Sequence, residues 1–211
     1  GRLYNLLGYI HRQTGLLQEA LAYHQQAEQI ATTLQLTRLK IAATFDMALC
    51  QRDLAEYEIA ISLFDVVCQL AQAAAGYREY IIYSQCCLAY LHSCLQANET
   101  ALQLVHAVRG EMESSELTSW GKGQSLLLLG STYRNLGNPE RSFEYYAQTI
   151  QFCEENQFTA ILAKAINGVA QLHRQQQNFE QALASHLQAI DLLDKLRARC
   201  ELADAYFQMG L

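Results

Sequence analysis

Apolar and small residues recur along the chain at intervals of three and four, and short polar stretches break the pattern at regular distances. The segment Gly168–Ala189, GVAQLHRQQQNFEQALASHLQA, shows the unit: an apolar run, a polar break at Gln175–Asn178, and a second amphipathic run. It reappears as Leu129–Thr149, Leu88–Val108, Met47–Val67 and Leu7–Ala27. Gly8, Ala48, Ala89, Gly130, Ala170 and Gly210 fall in register at steps of 40, 41, 41, 40 and 40. A second row, Ala20, Ala60, Ala101, Ser142 and Ala182, keeps the same steps. Two phased rows of small residues identify a repeat array, in which each unit stacks on its neighbours to bury its apolar faces.

The periodicity is helical throughout. It predicts paired helices over 2–12 and 16–34, 38–52 and 55–73, 79–95 and 99–108, 120–136 and 139–155, and 159–175 and 179–196. An unpartnered first helix over 198–211 follows. Gly15 supplies a left-handed stop to the first helix, and Asn138 caps a helix that has Pro139 at its first position. Asn98 is a further N-cap candidate. The polar stretch Arg109–Ser119 is expected to be an irregular connector. Small residues are expected where helices cross, with Leu7, Tyr23, Phe64, Leu88, Tyr133, Tyr146, Leu172 and Leu187 filling the space between.

Tyr4, Leu7–Gly8, His11, Ala20 and His24, and likewise Leu126, Leu129–Gly130, Tyr133, Ser142 and Tyr146, follow the aromatic, Leu-Gly, aromatic, Ala, aromatic pattern of the tetratricopeptide repeats, which the chain resembles over its whole length. The period is about 40 rather than 34, and the opening tryptophan and closing proline of that pattern are absent. In this respect the repeats are similar to the longer-helix variants of kinesin light chains and bacterial regulators. The resemblance implies an all-α right-handed superhelix, one array of about five and a half helix-turn-helix repeats: 1–36, 37–76, 77–117, 118–157, 158–197 and a partial 198–211. The chain begins and stops inside repeats, so it is expected to be part of a longer protein.

Composition narrows the function. A net charge of −6 over 211 residues disfavours general nucleic-acid binding, and no long apolar run or signal-peptide layout suggests a membrane. The seven cysteines form no C-x-x-C pair and stand at apolar positions in helices, as expected of buried thiols in a reducing, cytoplasmic compartment. A zinc site from Cys86, Cys87, Cys94 and His92 is disfavoured, because adjacent residues point to different faces of one helix. His11, His92 and His173 share one repeat position, and His24 and His186 share another; the fourth repeat has Tyr133 and Tyr146 at the same places. They therefore read as packing residues. No phosphate loop, zinc-protease or nucleophile-elbow motif is present, so neither enzyme activity nor a cofactor is expected.

The resemblance places first helices on a concave wall, and there the charge is uneven. First-helix segments sum to +6, and second-helix segments with their loops to −12. Arg12, Arg52, Arg134 and Arg174 hold equivalent positions, joined by Arg2, Lys122 and Lys164. The third repeat interrupts this row with Ser93 and offers Tyr83, Cys86 and Tyr90 instead. With Asn5, Tyr9, Phe45 and Asn167, these residues compose a peptide groove: guanidinium forks grip carboxylates, amides hold an extended backbone, and aromatics anchor side chains. The competing reading is that each arginine merely complements a helix C-terminus. The expected function is a scaffold binding an acidic or acidic–aromatic peptide, with no nucleic acid or membrane partner. The alternatives are a regulatory domain taking a small anionic effector, or self-association through the open terminal helix.

Overall fold

The computed structural model describes residues 1–114 and 117–210, the side chains of Ser114, Arg199 and Cys200 excepted. Residues 115 and 116 of the expected connector, the side chain of Cys200 and the final Leu211 therefore lie outside the description. Among those described, eleven α-helices and no strand are found: α1 (Arg2–Gln13), α2 (Leu17–Thr33), α3 (Thr37–Asp53), α4 (Tyr57–Gln72), α5 (Arg78–Cys94), α6 (Asn98–Ser114), α7 (Ser119–Asn135), α8 (Pro139–Asn156), α9 (Thr159–Gln175), α10 (Phe179–Lys195) and α11 (Arg199–Gly210). The fold is all-α, built of helix-turn-helix repeats.

These ranges fall within two residues of those predicted, except that α6 runs on to Ser114. Over 109–113 the helix is exposed or half-buried, whereas Val105 and Val108 in the preceding turns are fully buried. Polarity there reflects solvation of a helix, not its end. Asn98 is the first residue of α6 rather than the residue before it.

The chain forms two compact units. One comprises Gly1–Leu95 with Glu99–Ser115, the other Gln96–Asn98 with Glu116–Leu211. In the first, α1 to α5 pack each on the next, and α1, α3 and α5 also touch in succession. In the second, α7 to α11 do the same, with α7, α9 and α11 in contact. The second helices α2 and α4, or α8 and α10, have no comparable contact with each other among the described residues. First helices thus form the inner layer of each unit.

The small rows sit where helices cross. Gly8, Ala48, Ala89, Gly130 and Ala170 are buried, as are Ala20, Ala60, Ala101, Ser142 and Ala182. A Cβ on Gly8 would stand 2.6 Å from the His24 ring, and one on Gly130 2.7 Å from the Tyr146 ring. Tyr146, fully buried, also lies against Gly168, so it fills the space between α7 and α9. Ser142 Oγ donates to the Gly130 carbonyl at 2.7 Å, tying the two rows together. Two expectations fail here. Gly210 is exposed with open space around it, and Leu187 is 52 % exposed, because the inward position on α10 belongs to its neighbour His186.

Helix ends explain the tight turns. Asn138 accepts from the Arg141 amide at 3.1 Å and Thr118 from Gly121 at 3.1 Å, capping α8 and α7. Gly15 and Gly137 turn with φ of 81° and 70°, but Gln35, Ala55, Gln96, Gln157, Gln177 and Arg197 adopt the same left-handed conformation without being glycine. In these turns the following amide reaches back to the helix, as Asn178 does to the His173 carbonyl at 2.8 Å. Satisfying the last carbonyls outweighs the local strain.

Candidate functional site

In the first unit the inner layer brings arginines of successive repeats onto one carboxylate. Arg12 and Arg52 end α1 and α3, and Asp53 is the last residue of α3. Arg12 Nε and Nη2 lie 2.8 and 2.7 Å from Asp53 Oδ2, and Arg52 Nε and Nη2 lie 3.0 and 2.8 Å from Oδ1. Each oxygen is held by one fork. Burial alone would raise the Asp53 pKa, but the Arg52 and Arg12 guanidiniums outweigh it and hold the carboxyl below its ordinary value. Two of the row's four positive charges are therefore engaged by an internal anion.

Asn5 and Asn167 are engaged too. Asn5 Nδ2 donates to Asp46 Oδ2 at 2.8 Å, and its Oδ1 lies 2.8 Å from His24 Nδ1. Since that oxygen can only accept, the proton sits on His24 Nδ1. His24 Nε2 is left buried without a partner. Burial and then Arg12 lower the His24 pKa to about 4. Burial raises Asp46 to about 6, against the Asn5 hydrogen bond and the Arg12 charge. In the second unit Asn167 Oδ1 is 2.7 Å from His186 Nδ1, and burial followed by Arg174 lowers that histidine's pKa.

The aromatic positions divide by burial. Phe45 and Tyr83 are each 6 % exposed and pack together at 5.1 Å, with Phe64 at 5.7 Å and Tyr80 at 5.4 Å from Phe45. Tyr90 is half-buried, and Tyr9 is exposed. Arg2 is exposed on an open cleft of about 670 Å³ that Asn5 also lines, together with Arg38, Tyr77 and Tyr80.

The second unit differs in its charge. Arg134 Nη1 is 3.3 Å from Tyr146 Oη and Nη2 is 3.5 Å from Asn135 Oδ1, with no carboxylate partner among the described residues. Arg174 has none either. Lys164 pairs with Glu201 at 3.1 Å, and Lys122 stands 5.3 Å over the Phe152 ring. Arg134 and Arg174 end α7 and α9, neighbours in the inner layer.

The structure thus gathers Asn5, Arg12, Phe45, Arg52 and Tyr83 in one unit, and Arg134, Lys164, Asn167 and Arg174 in the other. Sequence reasoning passed over Asp53, Asp46, Arg38, Tyr77 and Tyr80. A signal existed for two of them: the Arg12–Asp53 and Asn5–Asp46 bonds each span 41 residues, one repeat period. Among the described residues no three His, Cys, Asp or Glu side chains are placed to hold a metal ion. No helix there is long and apolar enough to cross a membrane.

Models of the tetratricopeptide repeat match residues 122–195 and 1–33, together 107 of the 211 residues. No curated protein matches the chain. Among solved structures, BtubC (BKLC) from P. vanneervenii is similar at a TM-score of 0.65 and 15 % identity, over 92 % of this chain and 82 % of that one. A putative kinesin light chain with nearly identical TPR-like repeats from Podosopora anserina is similar at a TM-score of 0.55 and 19 % identity, over 93 % of each chain. A point variant of that same protein gives a TM-score of 0.58 at 17 % identity, over 93 % of this chain and 95 % of that one. At these identities the likeness is one of fold.

Proposed function

The chain belongs to the tetratricopeptide-repeat family, whose repeats mediate protein–protein interaction, and from that premise we propose that it is a non-catalytic scaffold holding an acidic, or acidic and aromatic, peptide segment along its first helices. The observation that carries this reading is the contrast within the arginine row. Arg12 and Arg52 share the carboxylate of Asp53. Arg134 and Arg174, half-buried at the equivalent places, have no carboxylate partner among the described residues. A partly desolvated guanidinium gains most from a bidentate anion, so an acidic residue of a partner completes what the chain leaves open. The six cysteines with described side chains form no disulfide. Burial pushes Cys50 and Cys87 up to about 12 and Cys68 and Cys153 to about 11, which suits an inert, protonated state in a reducing cytoplasmic compartment.

The test is a titration of acidic peptides against Arg134→Ala/Arg174→Ala and Arg12→Ala. The first variant should lose about 1.5–3 kcal/mol of binding per desolvated contact, and the second should lose little binding but some stability. Equal binding by wild type and the double variant would move the site off the first helices.

A further inference from the structure

We infer that the open cleft at the N-terminal rim of α1, α3 and α5 is a seat for one acidic side chain of a bound peptide. This rests on the peptide-binding reading above and places a separate anchor within the first unit. The cleft is open and offers about 670 Å³. Arg2 and Arg38 both line it, and no Asp or Glu does. Elsewhere in this unit Arg12, Arg52 and Arg78 each face a carboxylate. Arg2 and Arg38 make no ion pair among the described residues. Both arginines thus line a space whose own lining holds no carboxylate, the nearest being Asp46, already bonded to Asn5.

The remaining walls decide what kind of acid fits. Leu36 and Leu39 give it an apolar side, and Tyr77 and Tyr80 stand 6.5 Å apart at the other. Tyr80 is fixed by the buried Phe45 ring, set edge-on at 85°. Such a lining takes the methylenes of a glutamate, or the large apolar residue beside an aspartate, while the guanidiniums take the carboxylate. A bare inorganic anion would leave those apolar walls unused. Asn5, which also lines the cleft, has both ends of its amide committed to Asp46 and His24, so anion recognition falls to the arginines. Asn5 also belongs to the inner layer, which makes the cleft continuous with that wall. The smaller adjoining cavity, about 410 Å³, shares Arg38 and both tyrosines but adds Glu79. An acid is favoured in the larger space and a neutral or basic residue next to it.

A random short-peptide library displayed on phage and selected on the full chain supplies the probe. Enriched peptides should carry Asp or Glu beside a large apolar residue, and the synthetic peptides should lose about tenfold in affinity against Arg38→Gln and Arg2→Gln. Replacing the peptide's acid by its amide should cost the same factor. Affinity unchanged by Arg2→Gln and Arg38→Gln, yet lowered by Arg134→Ala/Arg174→Ala, overturns the cleft and leaves the groove standing. The reverse result keeps the cleft and removes the groove. Indifference to both sets, or failure of any peptide to enrich, overturns both. Displacement of the peptide by glutarate or by inorganic phosphate at equal concentration would make the cleft a small-anion site and overturn the peptide assignment.

Discussion

His186 Nδ1 lies 2.7 Å from Asn167 Oδ1, and the equivalent pair in the first repeat, His24 and Asn5, meets at 2.8 Å. In the second repeat the same two places hold Phe64 and Phe45, whose rings stand 5.7 Å apart. In the fourth they hold Tyr146 and Leu127, both in one buried cluster. The position holds a bonded polar pair in two repeats and a packed ring with a second ring or an aliphatic residue in two others. Asn167→Leu, which leaves the buried imidazole of His186 with neither nitrogen bonded, should cost about 1–3 kcal/mol. Asn167→Phe/His186→Phe should recover most of it. Urea unfolding midpoints decide, and equal losses in the single and double variants would refute the interchange.

Acid should act on the first unit in two opposing ways. His24, lowered to about 4 when folded, binds a proton more readily when unfolded, so stability falls as pH drops from about 6.5 toward 4. Asp46, raised to about 6, binds its proton more readily when folded, so its burial penalty is relieved over pH 6 to 4. Each amounts to about 3 kcal/mol, and they largely cancel. Asp46→Asn removes one side of the balance. That variant should be more stable than wild type at pH 7 and lose stability more steeply on acidification, read by urea titrations across the window. A wild-type slope as steep as the variant's would show that the two groups do not oppose each other.

Tyr146 leaves no room for a methyl group on α9. Gly168→Ala places a Cβ against its phenol ring, and Gly130→Leu does so more severely from α7. Each should lose about 1–3 kcal/mol through overpacking, as should Ala182→Leu at the crossing of α10. Gly168→Ala/Tyr146→Leu should lose less than the sum of its parts, because the offending ring is gone. Strict additivity in thermal melts would mean that ring and glycine are not in contact.

Most of the fold was legible because two independent rows of small residues mark the helix crossings from α1 to α10, and a misplaced register would expose one of them. What escaped was local. Ala55 and Gln177 end helices in left-handed turns with φ of 62° and 63°, and nothing in alanine or glutamine announces that. Ala55→Gly should therefore stabilise the chain by about 0.5–1 kcal/mol, while Gly137→Ala, at φ 70°, should destabilise it by as much. A lower melting temperature for Ala55→Gly would refute the strain. Of the candidate site, the arginine row was legible from its repeat spacing. Its internal anion was not, since Asp53 follows Arg52 in the chain and reads as one more charge on a helix end.

That carboxylate yields the most discriminating measurement on the arginine row. Asp53 is held by both guanidiniums, with side chains only 16 %, 17 % and 27 % exposed, so the cluster is shielded from salt more than a surface pair is. Asp53→Asn keeps the shape and removes the charge. It should destabilise the chain by about 1–3 kcal/mol, because two partly buried cations then face each other without an anion. It should also create in the first unit what Arg134 and Arg174 already offer in the second. Acidic peptides should bind the variant more tightly than wild type, with a stronger dependence on ionic strength. Binding by wild type itself should respond to Arg134→Ala and hardly to Arg12→Ala. If Asp53→Asn folds and yet leaves both affinity and salt dependence unchanged, the arginine row serves helix ends alone and plays no part in recognising an acidic partner.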